Sequence, residues 1–297
     1  MNIQAATGIK PGRQVLNFVI HLRWHYQVFI LSGCYLLGGL FHTGPAGWPM
    51  FLLQFLNVHL LLFGGATAFN SFWDKDKGRI GGLKKPPPMA SWMHPASLAL
   101  QCAGLMLALP AGYEYTMVYV LSMMMFWLYS TPLAKWKGRP WLSMVAIGLS
   151  TGWCSFLLGF MAIGGSSFFP YLLPATGCSL ILLSMYPVSQ VFQMEEDRER
   201  GYRTFALCYG LNGIRIFFPA TYIPGLLITG FTLHRLEPAA GHLFLALSVL
   251  TGTVIWWQLR RITGTEDDYK TVMRIKYLTS FAFVIFIVFW LLAGRSA

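Results

Sequence analysis

Charge is scarce in this chain. Asp, Glu, Lys and Arg make up 11% of its 297 residues, and only 11 residues are acidic. An ordinary soluble domain carries roughly 25% charged residues, so one or two soluble domains are excluded as the reading of this length. Also missing is the alternation of apolar and polar residues over about ten positions that a membrane β-barrel requires. The five cysteines (Cys34, Cys102, Cys154, Cys178 and Cys208) have no C-x-x-C spacing and sit in apolar segments, which reads as small packing residues. No low-complexity tail or linker marks a second domain, and residues 1–16 are too polar and basic for a cleavable signal peptide. The expectation is a single helical domain over residues 1–297.

What the chain has in quantity is apolar sequence, 55% of all residues. A membrane-spanning helix needs about 20 predominantly apolar residues, and such runs recur near 17–41, 48–72, 94–111, 115–131, 141–163, 168–194, 205–233, 241–258 and 275–293. The fold class expected is all-α, a polytopic membrane protein of about nine transmembrane helices. An excess of base over acid can signal nucleic-acid binding, but here its distribution points to a membrane. Twenty of the 22 Lys and Arg fall in alternate inter-helix segments, and Arg235 and Arg295 alone fall in the others. Positive-inside asymmetry of this kind sets the N-terminus in the cytoplasm, requires an odd number of spans and puts the C-terminus outside. No nucleic-acid partner is expected.

Nine of the eleven acids lie on the expected cytoplasmic side, in three clusters: Asp74 and Asp76; Glu195, Glu196, Asp197 and Glu199; Glu266, Asp267 and Asp268. The first two begin at the end of an apolar helix, where the helix dipole disfavours an anion unless cations are bound. The third lies in mid-loop beside Arg260 and Arg261 and needs only water. The first two also share a pattern of amide, three residues, Asp, base, acid, base and Gly, running Asn70 to Gly78 and Gln193 to Gly201. Amide and Asp are four apart and share a helix face, and each Gly supplies a helix stop. Two such ends offer oxygen ligands to a hard cation, and Mg2+ takes a few carboxylates together with phosphates and waters. The interleaved Lys and Arg suit phosphate oxygens. The bland alternative for each cluster is a charged interfacial anchor, which the duplication of the pattern disfavours.

These residues resemble the UbiA superfamily of intramembrane prenyltransferases. Its first motif, N-D-x-x-D-x-x-x-D, is matched at Asn70 and Asp74, with Ser71 and Gly78 in place of two carboxylates. Its second, D-x-x-x-D followed by G-x-x-T, is matched at Asp197, Gly201 and Thr204, with Gln193 in place of the leading Asp. The segment Tyr129 to Pro140, with Ser130-Thr131-Pro132 and Lys137-Gly138, is similar to the family's stretch after the fourth helix. The resemblance implies helices around a central cavity that holds a polyprenyl diphosphate, with Mg2+ and basic residues on the diphosphate. It implies catalytic roles for Asp74, Asp197 and Tyr129, and metal ligands drawn from Asn70, Asp74, Asp76, Gln193, Glu196 and Asp197. Diphosphate contacts would come from Arg23, Lys84, Lys137, Arg139, Arg198 and Arg203. The aromatic content, 16%, suits walls around a carbocation, although interfacial aromatic belts account for much of it.

Several of these residues have plainer readings. Lys84 and Lys85, between Gly81-Gly82 and three prolines, form either a stiff lid over the diphosphate or a solvated loop near anionic lipid. His21 and His25 have metal-like spacing but lack a third ligand. Gly148 and Gly152 make a packing face on the fifth helix, and Pro219 and Pro224 bend the seventh. Three functions are compatible with the sequence: transfer of a prenyl group to a small aromatic or lipid-like acceptor, closure of the prenyl chain on itself by a terpene cyclase, or non-enzymatic lipid carriage. The last fits least, because carriers keep polar groups near the bilayer midplane.

Cysteine labelling of intact cells tests the topology. Labels at Ile80, Lys137 and Thr265 should be cytoplasmic and those at Pro45 and Glu237 outside. Ile80 and Lys137 on opposite sides would break the nine-helix scheme.

Overall fold

A computed structural model describes residues 10–293. The expected placements of both termini and of Arg295 therefore lie outside the described residues. The described residues are mostly helical. Among the described residues there is no strand, only an isolated bridge between Ile80 and Leu83. In chain order the helices are α1 (Pro11–Leu22), α2 (24–40), α3 (Trp48–Asp74), α4 (Met93–Ala108), α5 (Tyr113–Ser130), α6 (Pro140–Ala162), α7 (Phe169–Glu199), α8 (Phe205–Leu236), α9 (Pro238–Leu259) and α10 (Glu266–Ala293). Of these, α3 and α6–α10 are long and apolar enough to cross a membrane. That makes six such helices among the described residues, where the sequence reading expects nine spans. The other three expected spans are helical but fall short. The first is divided at Arg23, whose backbone is left-handed (φ 50°). The third, α4, has only 16 residues before a 3-10 turn, and the fourth, α5, is rich in Tyr, Ser and Met.

Within a bilayer, helices gain little from burying apolar surface and are held by close packing and interhelical hydrogen bonds. The closest approach joins α2 and α6. A Cβ at Gly38 would lie 1.9 Å from the Phe156 carbonyl oxygen, and one at Gly159 would lie 1.9 Å from that of Tyr35. Gly148 and Gly152 act as expected: they admit Ser179 of α7, whose hydroxyl donates to the Gly148 carbonyl at 2.7 Å. Helices α3, α4 and α5 share a buried polar network. Asn57 donates to the Gly104 carbonyl at 2.8 Å, Gln54 to that of Leu107 at 2.7 Å, and Tyr119 to Asn57 Oδ1 at 3.3 Å. Interhelical bonds of this kind contribute about 0.6 kcal/mol each on average.

Helix α8 is broken at Gly210 (φ 61°, ψ −170°), and Pro219 and Pro224 lie inside its helical stretch. Helix α3 ends at Asp74 because Lys75 turns left-handed (φ 50°), so Gly78 is not its stop, whereas Gly201 (φ 70°) does close the second motif. The third acidic cluster is also more than a solvated loop. Asp268 is buried, and its Oδ2 accepts the backbone N–H of Thr263, Gly264 and Thr265 at 3.0, 2.7 and 3.1 Å. With Thr265 it forms a capping box at the start of α10. Replacing such a cap costs about 1–2 kcal/mol. Asp268→Ala should lower the unfolding midpoint of the detergent-solubilised protein accordingly. An unchanged midpoint would return Asp268 to the solvated loop.

Candidate functional site

The two matched motifs meet at one end of the bundle. In the last turn of α3, Asn70 Nδ2 donates to Asp74 Oδ2 at 2.7 Å, the i,i+4 pairing expected from the spacing. Ser130, at the end of α5, donates to Asn70 Oδ1 at 3.1 Å. Asp74 is 7% exposed and forms an ion pair with Lys137, which sits on a 3-10 turn (Trp136–Gly138) between α5 and α6. The hydroxyl of Tyr202 donates to Asp74 Oδ1 at 3.4 Å. Burial works against the Lys137 ammonium, but Asp74, with Asp76 and Asp197 nearby, outweighs it and holds its pKa above the ordinary lysine value.

The second motif departs from the sequence reading. Helix α7 loses α-geometry after Ser184, continues as a 3-10 stretch (Pro187–Gln193) and restarts as a short helix (Met194–Glu199). Gln193 (φ −112°) sits at that junction, so the continuous face expected for Gln193 and Asp197 is interrupted. The acids therefore open a short helix rather than close a long one. Asp197 is 2% exposed, and its Oδ1 has no hydrogen-bond partner.

Arg200 joins the motifs. Its Nη1 donates to Asp76 Oδ1 at 2.7 Å and its Nη2 to Glu196 Oε1 at 2.6 Å. Glu196 in turn accepts the N–H of Lys77 at 2.7 Å and of Gly78 at 3.3 Å. Burial opposes the Arg200 charge, but Asp76, Asp74 and Glu196 more than compensate, and its pKa is raised. Nothing in the spacing of the motifs announces this cross-link, although Arg200 lies four residues after Glu196, a helical ion-pair spacing.

From this charged end a cavity of about 370 Å3 runs into the bundle. Arg23, Asn70, Asp76, Lys137 and Gln193 line its head, and Phe126, Ile181, Tyr222, Phe244, Phe283 and Phe286 line its body. Its wall on α7 extends from Gln193 to Cys178. Tyr129 lines it too and accepts from the Tyr186 hydroxyl at 3.1 Å; Tyr186 is a lining residue the sequence reading missed. A smaller compartment of about 160 Å3 shares Tyr129, Ser130 and Lys137 with this cavity and is lined also by Trp73, Asp74, Lys135 and Tyr202.

Of the expected diphosphate contacts, Arg23 and Lys137 line the cavity. Lys84, Arg139, Arg198 and Arg203 are exposed and do not. Chain geometry explains this. The loop after α3 presents Ile80 and Gly81 to the cavity and turns its lysines outward. It is fastened to α1 and α2 by Arg23 on the Gly81 carbonyl (3.1 Å), His21 on Pro87 (2.7 Å) and His25 on Gly82 (3.1 Å). The two histidines hold backbone, not metal.

Among the described residues, no three His, Cys, Asp or Glu side chains converge as a metal cage. The donors that remain suit a hard cation needing few protein ligands. Asp197 Oδ1 is unpartnered, whereas Asp74 would have to exchange Lys137 for the ion, and Mg2+ commonly uses one or two carboxylates plus phosphate and water. Asp76 and Glu196 are committed to Arg200.

Removing one partner of a buried ion pair costs about 3–5 kcal/mol, because the other charge is left uncompensated. Lys137→Met should therefore lower thermal stability strongly, and adding Asp74→Asn should recover most of the loss. Additive losses in the double variant would mean that the two side chains do not act as a pair.

The model of the UbiA prenyltransferase family matches residues 30–283. No curated protein sequence matches the chain. Among solved structures, a UbiA homolog from Archaeoglobus fulgidus bound to DMAPP and Mg2+ superposes with a TM-score of 0.72 at 15% identity, covering 95% of this chain and 98% of that one. The same homolog bound to GPP and Mg2+ gives 0.69 at 18% identity over 95% and 100%. A solved structure of digeranylgeranylglyceryl phosphate synthase gives 0.61 at 19% identity over 93% and 98%. These likenesses establish the fold. The family match spans most of the chain, and it includes Asn70, Asp74, Lys137 and Asp197: the protein is a member of the UbiA prenyltransferase family.

Proposed function

We propose that the protein ionises a polyprenyl diphosphate within the membrane, with Mg2+ as cofactor, and transfers the prenyl group to a small aromatic or lipid-like acceptor. The observation that carries this reading is the cavity of about 370 Å3 with a polar, cationic head and a long body lined by aromatic rings. A diphosphate suits the head and a prenyl chain suits the body. The solved relatives bound to DMAPP, GPP and Mg2+ support the same ligand class. We place the head at the cytoplasmic face of a nine-span bundle, with the N-terminus inside and the C-terminus outside, on the strength of the charge asymmetry.

In the reaction the allylic C–O bond breaks and its electron pair leaves with the diphosphate. A new bond then forms from the acceptor to the allylic carbon, and the acceptor loses a proton. Mg2+, when bound by Asp74 and Asp197 with Asn70 and Gln193 close by, would neutralise charge developing on the leaving oxygens. The chain contributes the rest. Arg23 and Lys137 offer N–H donors to phosphate oxygens in a water-poor site, where preorganised donors count most. Tyr129, held by Tyr186, stands at the boundary between head and body. Phe126, Phe244, Phe283 and Phe286 line the body, and aromatic rings stabilise a cation. The smaller compartment, which shares Lys137 with the cavity, supports transfer, since it leaves room for a second molecule.

Purified protein in lipid nanodiscs, given Mg2+ and C10, C15 and C20 diphosphates with and without phenolic acceptors, should form a prenylated product only when acceptor is present. Terpene hydrocarbon or alcohol without acceptor would identify a cyclase, and no diphosphate release under any condition would leave lipid carriage. Asp197→Asn should slow turnover at least ten-fold, about 1.4 kcal/mol of barrier. Exposed Arg198→Ala should leave turnover within two-fold.

A further inference from the structure

Among the described residues, three basic side chains line the cavity, Arg23, Lys137 and Lys276, against one carboxylate, Asp76. Asp76 is tied to Arg200, and Lys137 is paired with Asp74. Lys276 stands apart from that network. It lies in α10, two turns into the α-helical stretch Tyr269–Ala293. Ionisable residues in membrane-spanning helices face the bundle interior or a cavity and mark substrate paths. Lys276, Thr279, Ser280 and Phe283 share one face of α10 by their spacing, and all four line the cavity.

A lysine near a helix end can reach water by extending its stem, but Lys276 is only 9% exposed. Among the described residues no carboxylate pairs with it. Its Nζ donates to the Tyr26 hydroxyl at 2.6 Å and stands 5.2 Å from the centre of that ring. Tyr26, on α2, is packed beneath the loop after α3, since a Cβ at Gly82 would lie 3.1 Å from its ring. A neutral phenol does not balance the charge. The ammonium keeps two further N–H groups, and the Tyr26 O–H, which accepts from Lys276, still has its own proton to donate. A buried cation without an anion is costly, so the pair is suited to an anion that arrives with a ligand.

Prenyl transfer brings two possible anions, the diphosphate and an acidic group on the acceptor. Arg23 and Lys137 already offer donors to the first. An acid in the smaller compartment would meet Lys137, already paired with Asp74, and Lys135, which is exposed to water. Lys276 offers charge with no carboxylate to displace. We propose that Lys276 and Tyr26 form the subsite for an acidic group, carboxylate or phosphate, on the acceptor, and so select acidic acceptors over neutral ones. The proposal rests on the transfer reading above and deepens it by naming the charge of the acceptor. No bond is made or broken at this subsite, which binds and orients.

Equilibrium binding to the full-length protein in nanodiscs, with Mg2+ and geranyl thiodiphosphate present, tests this without turnover. Two probe pairs are compared: 4-hydroxybenzoate with 4-hydroxybenzamide, and octylglycerol phosphate with octylglycerol. In at least one pair the acid should bind ten-fold or more tightly than its neutral partner, and that pair tells carboxylate from phosphate. Lys276→Gln should bring the two within two-fold, and Lys276→Arg should keep the preference. Thiodiphosphate affinity should stay within two-fold in both variants. No preference for acid in either pair, or a preference that survives Lys276→Gln, would overturn the subsite. A ten-fold loss of thiodiphosphate affinity in Lys276→Gln would give Lys276 to the diphosphate and overturn it too. Thiodiphosphate that fails to bind the wild-type protein would instead overturn the diphosphate reading beneath, and acid preference measured without it would then decide the subsite alone. Should Lys276→Gln not fold, Tyr26→Phe takes its place. Acid binding should then fall at least three-fold while neutral binding stays, and undiminished acid binding would overturn the subsite.

Discussion

Buried carboxylates are costly unless cations or N–H donors meet them, and the candidate site is organised around that constraint. Asp74 lies beside Lys137, and Asp76 and Glu196 share Arg200. Lone charges moved out of water cost several kcal/mol even after relaxation, so these pairs fix which loops can lie together. Arg200 follows α7 while Asp76 follows α3, and Lys137 precedes α6. Their pairing draws three separate loops onto one end of the bundle. Without it, two charged segments more than a hundred residues apart would have no reason to meet.

The same pairing sets the mouth of the cavity. Glu196 holds the backbone of Lys77 and Gly78, and Arg23, His21 and His25 hold the loop that follows, so Ile80 and Gly81 close over the head while Lys84 and Lys85 face outward. Below the head the demands are different. Helices must approach closely without polar cost, and Gly38 and Gly159 allow α2 and α6 to pass at backbone contact. The charge is gathered at one end and the aromatic walls lie below it, a division that suits a molecule with an anionic head and a hydrocarbon tail.

Much of this was legible in the sequence because it rests on local spacing. The helical segments follow from apolar runs, Asn70 and Asp74 pair as a four-residue spacing dictates, and Gly148 with Gly152 packs as small residues do. What was not legible depends on single backbone angles or on partners far away in sequence. The left-handed residues Arg23 and Lys75, which divide α1 from α2 and end α3, carry no glycine to mark them. The break before Gln193 lies within an apolar stretch that reads as one helix. Arg200 could be counted as a basic residue, but its bond to Asp76 spans 124 positions. Asp268 is a different case, because Thr265 three residues before it is a capping-box signal present in the sequence.

The central claim is that the head lined by Arg23, Asn70, Asp76, Lys137 and Gln193 receives a diphosphate whose prenyl chain lies in the aromatic cavity. The most direct measurement is a high-resolution structure of the protein in nanodiscs with Mg2+ and a non-ionisable prenyl thiodiphosphate. The account predicts phosphate density within hydrogen-bond distance of Arg23 and Lys137, with Lys137 turned from Asp74 toward phosphate, and tail density reaching Phe244 and Phe286. Phosphate density at the exposed Lys84 and Arg198 instead, with Asp74 still paired to Lys137 and no tail in the cavity, would contradict it.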